Sequence, residues 1–374
     1  MCSRFFNPLA RHFQTDNVAG EARPGVRLSD RVRGGGVILF ANGLRSDRIA
    51  TGNIAGGEAR SIAGPVESIG LTADLFRRAS VWLVLAAVVI ALVLTITLRV
   101  RVDPRGSSVL ECLVAALLWA SRAWWNQSGH ERMADACGTV AIVALGGMAC
   151  GAIAMLELRF GFPLADGRLH AMDQALGVDG IAIVEALLET GHWIFWIMAP
   201  AYNFTIPIFF GGLLLLSWLG DRVEAWRAAF CFVGTLLTTC LVAMFTPAKG
   251  LGVWASPELL ARLPEEAMRS FWAHFDQFYF AAHPVLRMQV VDGVISFPSF
   301  HCIVGFLVLA MWRKNVLTLL AAGTWLVFML LGTFPGGGHY FIDLVAGFVV
   351  WAVWFAASLY LERRPVRELM PALT

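Results

Sequence analysis

The stretch 338–363, GHYFIDLVAGFVVWAVWFAASLYLER, decides how this chain is read. Between 341 and 361 it carries one charged residue, Asp343, and at about 1.5 Å per residue a helix of that length crosses a hydrocarbon core of about 30 Å. A membrane helix is expected here. Its start holds His339 and Asp343 at i and i+4, on one helical face, and ionisable groups at such a depth are costly enough to point to a site.

The rest of the chain has the same character. Of 374 residues, 57% are hydrophobic and 15% charged, which excludes an ordinary soluble domain, a secreted disulfide scaffold and a coiled coil. The 36 glycines, 14 tryptophans and 26 phenylalanines suit a polytopic membrane protein, where small residues let helices approach and Trp lies at the headgroup boundary. A net charge of +2 is too small to point to nucleic acid. The seven cysteines, with no CxxC spacing, read as small buried hydrophobes.

Apolar runs at about 81–98, 108–126, 136–156, 197–219, 226–246, 298–313, 316–334 and 341–361 give eight candidate spans, the second weakened by Glu111 and Arg122. The expected fold is all-α, a polytopic integral membrane helical bundle. Residues 1–76 read as a disordered cytoplasmic leader without a signal peptide, 77–130 as two N-terminal spans, 131–361 as a six-span domain and 362–374 as a basic cytoplasmic tail. Segment 181–196 places Glu185, Glu189 and His192 on one helical face and is expected to lie along an interface. Because cytoplasmic loops retain Lys and Arg, the leader, 121–135, 220–227, Arg313, Lys314 and the tail are assigned inward. Arg99, Arg101 and Arg105 are the exception. Lys249, His301 and His339 then share the external face, the periplasmic one in a bacterial inner membrane.

The chemistry follows from residue types. A neutral imidazole at His339, held by Asp343, can attack phosphorus directly. His301, behind Pro298 and Ser299 at another helix start, can give a proton to a leaving alkoxide. The Ser299 hydroxyl, the amides of the Gly336, Gly337, Gly338 run and the Lys249 ammonium can meet phosphate oxygens. Two histidines and one aspartate fall short of the oxygen ligands that Mg²⁺ or a two-metal site needs, so no metal and no cofactor are expected.

Read in order, Lys249-x6-Ser256-Pro257, Pro298-Ser299-Phe300-His301 and Gly332-Thr333-x5-His339-x3-Asp343 resemble the three motifs of the type 2 phosphatidic acid phosphatase superfamily, over about residues 136–361. Ser256 and Thr333 stand where that family carries phosphate-gripping arginines, and Phe300 where it carries glycine. The stretches SFPSFH (296–301) and GGHYFIDLVAG (337–347) are similar to the branch containing fungal inositol phosphorylceramide synthase and related bacterial proteins. The resemblance implies a six-helix phosphatase-type core, catalytic His339, Asp343 and His301, phosphate binding by Lys249, Ser299 and Gly338, and lipid substrates in the bilayer. It implies an enzyme that moves a phosphoinositol-like headgroup from a phospholipid to a lipid alcohol through phosphohistidine. A phosphatase acting on phosphatidate-like or polyprenyl phosphates would share the mechanism, and a non-catalytic lipid-binding protein is a third reading.

Other ionisable residues have plainer readings. His274, Asp276 and His283 lie in FWAHFDQFYFAAH (271–283), an aromatic interfacial belt or a lid. Glu185, Glu189 and His192 read as a solvated face, and Glu111 as an isolated intramembrane acid.

Overall fold

The computed structural model describes residues 65–104, 107–287 and 294–363. The described chain is an all-α bundle of α1 (Pro65–Thr97), α2 (Ser107–Gln127), α3 (Glu131–Glu157), α4 (Asp166–Ala175), α5 (Gly180–Glu189), α6 (His192–Asn203), α7 (Thr205–Leu219), α8 (Arg222–Ala243), α9 (Pro257–Ala261), α10 (Trp272–Tyr279), α11 (Phe300–Met311), α12 (Val316–Gly332) and α13 (Phe341–Arg363). Two short strands, β1 (Arg101–Asp103) and β2 (Val285–Arg287), pair in parallel, with Arg101 opposite Val285.

Among the described residues, five helices are long and apolar enough to cross a membrane: Gly70–Thr97, Glu131–Phe160, Arg222–Ala243, Val316–Gly337 and Phe341–Arg363. The pair α6 and α7, bent by 55°, makes a sixth if counted as one crossing. The bend has a local cause. Pro207 has no N–H for the Asn203 carbonyl, and its ring crowds that carbonyl.

Eight spans were expected, and α2 and α11 fall outside the helices long and apolar enough by this measure. In α2, Glu111, Arg122 and the serines and tryptophans among them dilute the apolar run, although the helix still returns antiparallel along α3, with Cys112 Sγ 3.6 Å from Met148 Sδ. Helix α11 has 12 residues, about 18 Å of rise. The expected interfacial segment 181–196 is not one unit, because Gly191 at φ 105° separates α5 from α6 and residues 193–203 join the bent crossing.

Residues 1–64 of the expected leader, and 364–374 of the tail, lie outside the described residues. From Pro65 the chain is already helical, so the boundary expected at 76 falls inside α1. Phe76 is fully buried, 5.6 Å from the Phe230 ring and 5.5 Å below the Arg227 guanidinium. These partners lie some 150 residues away, and local composition cannot reveal them.

The main core joins α1, α3, α7, α8 and α11 through Val84, Ile142, Phe209, Trp226, Val233 and Ile303. Lipid tails are as apolar as leucine, so such helices are held by close van der Waals packing rather than by escape from water. At one end, β1 on β2 ties 101–103 to the long segment between α8 and α11. At the other, Arg222 pairs with Glu131 at 2.8 Å and Arg313 with Glu224 at 2.5 Å.

Candidate active site

Helix α11 begins at Ser299, whose hydroxyl caps it by accepting the Cys302 N–H at 3.3 Å. The Ser299 N–H donates to the Asp343 backbone carbonyl at 3.0 Å. One turn on, Gly347 has no side chain to keep α13 away: a Cβ there would lie 2.6 Å from the Ser299 carbonyl oxygen. The starts of α11 and α13 are thereby held together, which brings His301 and His339 into one site.

Helix α12 runs into a π-helical turn, Thr333–Gly337, and Gly338, at φ 65°, reverses the chain ahead of His339. The Gly338 N–H donates to the Phe334 carbonyl at 3.1 Å and the His339 N–H to the Thr333 carbonyl at 3.2 Å. The amide expected at Gly338 to meet phosphate is therefore spent inside the turn.

His339 is 4% exposed, and Ser299 and Asp343 are fully buried. His339 Nδ1 lies 3.0 Å from the Ser296 carbonyl oxygen and 3.3 Å from Asp343 Oδ2. Both neighbours can only accept, so Nδ1 carries the proton and Nε2 keeps its lone pair in the neutral ring. That nitrogen is 3.4 Å from Ser299 Oγ. Asp343 Oδ2 is fixed in turn by the Ser296 hydroxyl at 3.0 Å and the Tyr340 N–H at 2.9 Å. His301, partly buried, has its ring centre 6.3 Å from that of His339 and stacks on Tyr202 at 4.3 Å. The two rings are inclined at 60° to each other, so neither shields the other's edge nitrogens by stacking.

Helix α4 holds this arrangement from behind. Asp173 accepts the N–H groups of Phe341 and Ile342, both at 2.8 Å, and so caps α13 beside the histidine. Asp166 accepts the N–H groups of Lys249 at 3.1 Å and Gly250 at 2.8 Å, and the Tyr340 hydroxyl at 3.0 Å. Burial, then the Asp166 carboxylate, pushes the Tyr340 phenol up, so it stays a donor. Burial also pushes the Asp173 carboxyl up, against the pull of the two amides.

The remaining expectations separate. Lys249 lies beside the site in the backbone, since the Leu251 N–H donates to the Gly338 carbonyl at 2.6 Å. Its ammonium, however, pairs with Asp276 at 2.9 Å and sits 4.6 Å over the Trp272 ring, so its charge is directed to α10. Asp276, read as part of a belt or lid, is thus the lysine's partner. Ser256 caps α9 through the Leu259 N–H at 3.1 Å, and the Thr333 hydroxyl donates to the Leu330 carbonyl at 2.6 Å. Neither fills the role of an arginine. Glu111, Glu185, Glu189 and His283 are exposed, and His274 lies on α10. Among the described residues, no group of three or more His, Cys, Asp or Glu is placed to hold a metal ion.

Sequence reasoning missed Tyr202, Ser296, Asp166 and Asp173. The two aspartates carried a usable signal, because a spacing of seven puts them on one face of a short helix. Ser296 acts largely through its carbonyl, which no side-chain pattern marks.

A buried, carboxylate-held imidazole beside a second imidazole has the groups that phosphoryl transfer through histidine requires. The family model of the PAP2 superfamily matches residues 167–357, just over half of the chain, and the chain belongs to that superfamily. Its chemistry is of the phosphatase and phosphotransferase type, in a membrane-embedded protein acting on lipids. The match leaves out α1 to α3. Comparisons with curated proteins and with solved structures return no match.

Proposed function

We propose that this chain is a membrane lipid phosphotransferase that passes a phosphoinositol-like headgroup from a phospholipid to a lipid alcohol, in the manner of the inositol phosphorylceramide synthase branch. The observation that carries it is the state of His339: Nδ1 faces two acceptors, and Nε2 is left with its lone pair in the space shared with His301. Nε2 forms a bond to phosphorus as the bond to the diacylglycerol oxygen breaks, and protonated His301 gives its proton to that oxygen. The acceptor's hydroxyl oxygen then attacks phosphorus, the P–N bond breaks, and the hydroxyl proton returns to His301. Asp343 stabilises the charge that develops on the His339 ring. The face is external, periplasmic in a bacterial inner membrane.

The choice of transfer over hydrolysis rests on charge. The Lys249 ammonium is held by Asp276, and a doubly charged phosphomonoester needs a stronger clamp than a singly charged diester. The test is the purified full chain in detergent with phosphomonoester and phosphodiester lipids, with and without a ceramide or diacylglycerol acceptor. A new phospholipid that requires the acceptor supports transfer. Release of free phosphate instead makes the enzyme a phosphatase, and neither product leaves a lipid-binding protein.

A further inference from the structure

We propose that Tyr202 binds the substrate's phosphate in this site, donating its phenolic O–H to a non-bridging oxygen of a singly charged phosphodiester; this rests on the reading of the site as a phosphoryl-transfer centre. Tyr202 stands on α6, just before the bend, and its ring stacks on His301 at 27° between planes. Its hydroxyl faces the nucleophile as well. The point where a Cβ on Gly337 would begin lies 2.6 Å from the Tyr202 hydroxyl oxygen, 2.7 Å from His339 Cδ2 and 3.1 Å from His339 Nε2, so the hydroxyl and the nucleophilic nitrogen lie no more than about 6 Å apart.

The end of α12 is shaped to admit this ring. A Cβ on Gly332 would meet Tyr202 Cβ at 3.2 Å, and one on Gly336 would meet its ring at 3.0 Å. With Gly337, three glycines face one tyrosine. The contrast with Tyr340 is informative, since that hydroxyl donates to Asp166 and accepts from Trp254 Nε1 at 2.9 Å. Among the described residues the Tyr202 hydroxyl has no hydrogen-bond partner. A partly buried donor without a partner, beside both histidines, finds one in whatever binds there. Apart from His301, whose proton goes to the leaving oxygen, the other donor at that point is Ser299, also neutral, while Lys249 is paired with Asp276. Neutral donors suit one negative charge better than two.

Two readouts test this separately from the function itself. Binding of orthovanadate, used as the phosphate probe, is measured by calorimetry on the purified full chain, Tyr202→Phe and Gly337→Ala, each first checked for a monodisperse profile and an unchanged melting temperature. Losing a hydrogen bond to a charged group should weaken binding about tenfold or more in Tyr202→Phe, which keeps the stack on His301. Gly337→Ala, whose methyl would crowd both the hydroxyl and the His339 ring, should weaken it as well, and Tyr202→Phe separates the two. Wild-type affinity in Tyr202→Phe, or no vanadate binding to the wild type, overturns the assignment. Lipid turnover in wild type and His339→Ala is the second arm: transfer that survives the loss of His339 sinks the phosphoryl-transfer reading, and the vanadate comparison still decides for or against Tyr202.

Discussion

Helices α11 and α13 each carry polar groups at both ends, and the two ends are built on opposite principles. At the Arg313 end, Glu224, itself 3% exposed, receives Arg227 at 2.7 Å and Arg313 at 2.5 Å, and Arg227 reaches Glu362 at 2.6 Å. Charge meets charge, and the helices α8, α11 and α13 are locked together. At the Ser299 end a single carboxylate, Asp343, orients a single imidazole, while His339 Nε2, the Tyr202 hydroxyl and Asp343 Oδ1 are left without strong partners. Buried polar atoms are ordinarily satisfied, and buried charges are paired: at the Arg313 end the charges balance one another although Arg227 Nε has no acceptor, whereas at the Ser299 end the open groups are those that can meet a ligand.

The comparison can be broken most completely by sidedness. A cysteine replacing exposed Pro264, at the site end, should react with an impermeant maleimide in intact spheroplasts, and one replacing Asn315 should not, in a background without the native cysteines. The reverse pattern would put the ion-paired end outside.

His339→Ala should lower turnover by at least about a hundredfold with the fold intact, because covalent catalysis is worth several kcal/mol of barrier. A residual rate above a hundredth of wild type would remove His339 as nucleophile. Glu224→Ala should do the converse. It leaves Arg227, 2% exposed, without its buried counterion and should cost about 3 kcal/mol of stability by SDS titration, with activity per folded molecule preserved.

Lys249→Ala sharpens the contrast at the site end. Because the ammonium is engaged with Asp276 and Trp272, the expected loss of rate is below about tenfold, and a hundredfold loss would mean that the lysine leaves Asp276 to meet phosphate. The smallest effect is expected from EDTA, which should leave the rate unchanged; loss on chelation, restored by Mg²⁺, would overturn a metal-free mechanism.

Much of this was legible in residues 338–363. An apolar run of membrane length is a property of consecutive residues, and a His and an Asp four apart share a helical face whatever surrounds them. The Pro298 to His301 motif was legible for the same reason, and so was its likeness to the PAP2 superfamily, to which the chain belongs. Hydropathy was less reliable at the margins. It ended the leader at 76, inside α1, because Phe76 becomes a core residue only through Phe230 and Arg227.

What only the tertiary structure decided is how each polar group is occupied. From sequence, Lys249 looks free to serve a substrate, and Tyr202 and Tyr340 are two of four tyrosines in an apolar chain. Folding gives Lys249 to Asp276 and Tyr340 to Asp166 and Trp254, and leaves Tyr202 against His301 with its hydroxyl open. A helical period is local and can be read from one segment, but a hydrogen bond between residues 174 positions apart, as in Asp166 with Tyr340, depends on how whole helices pack.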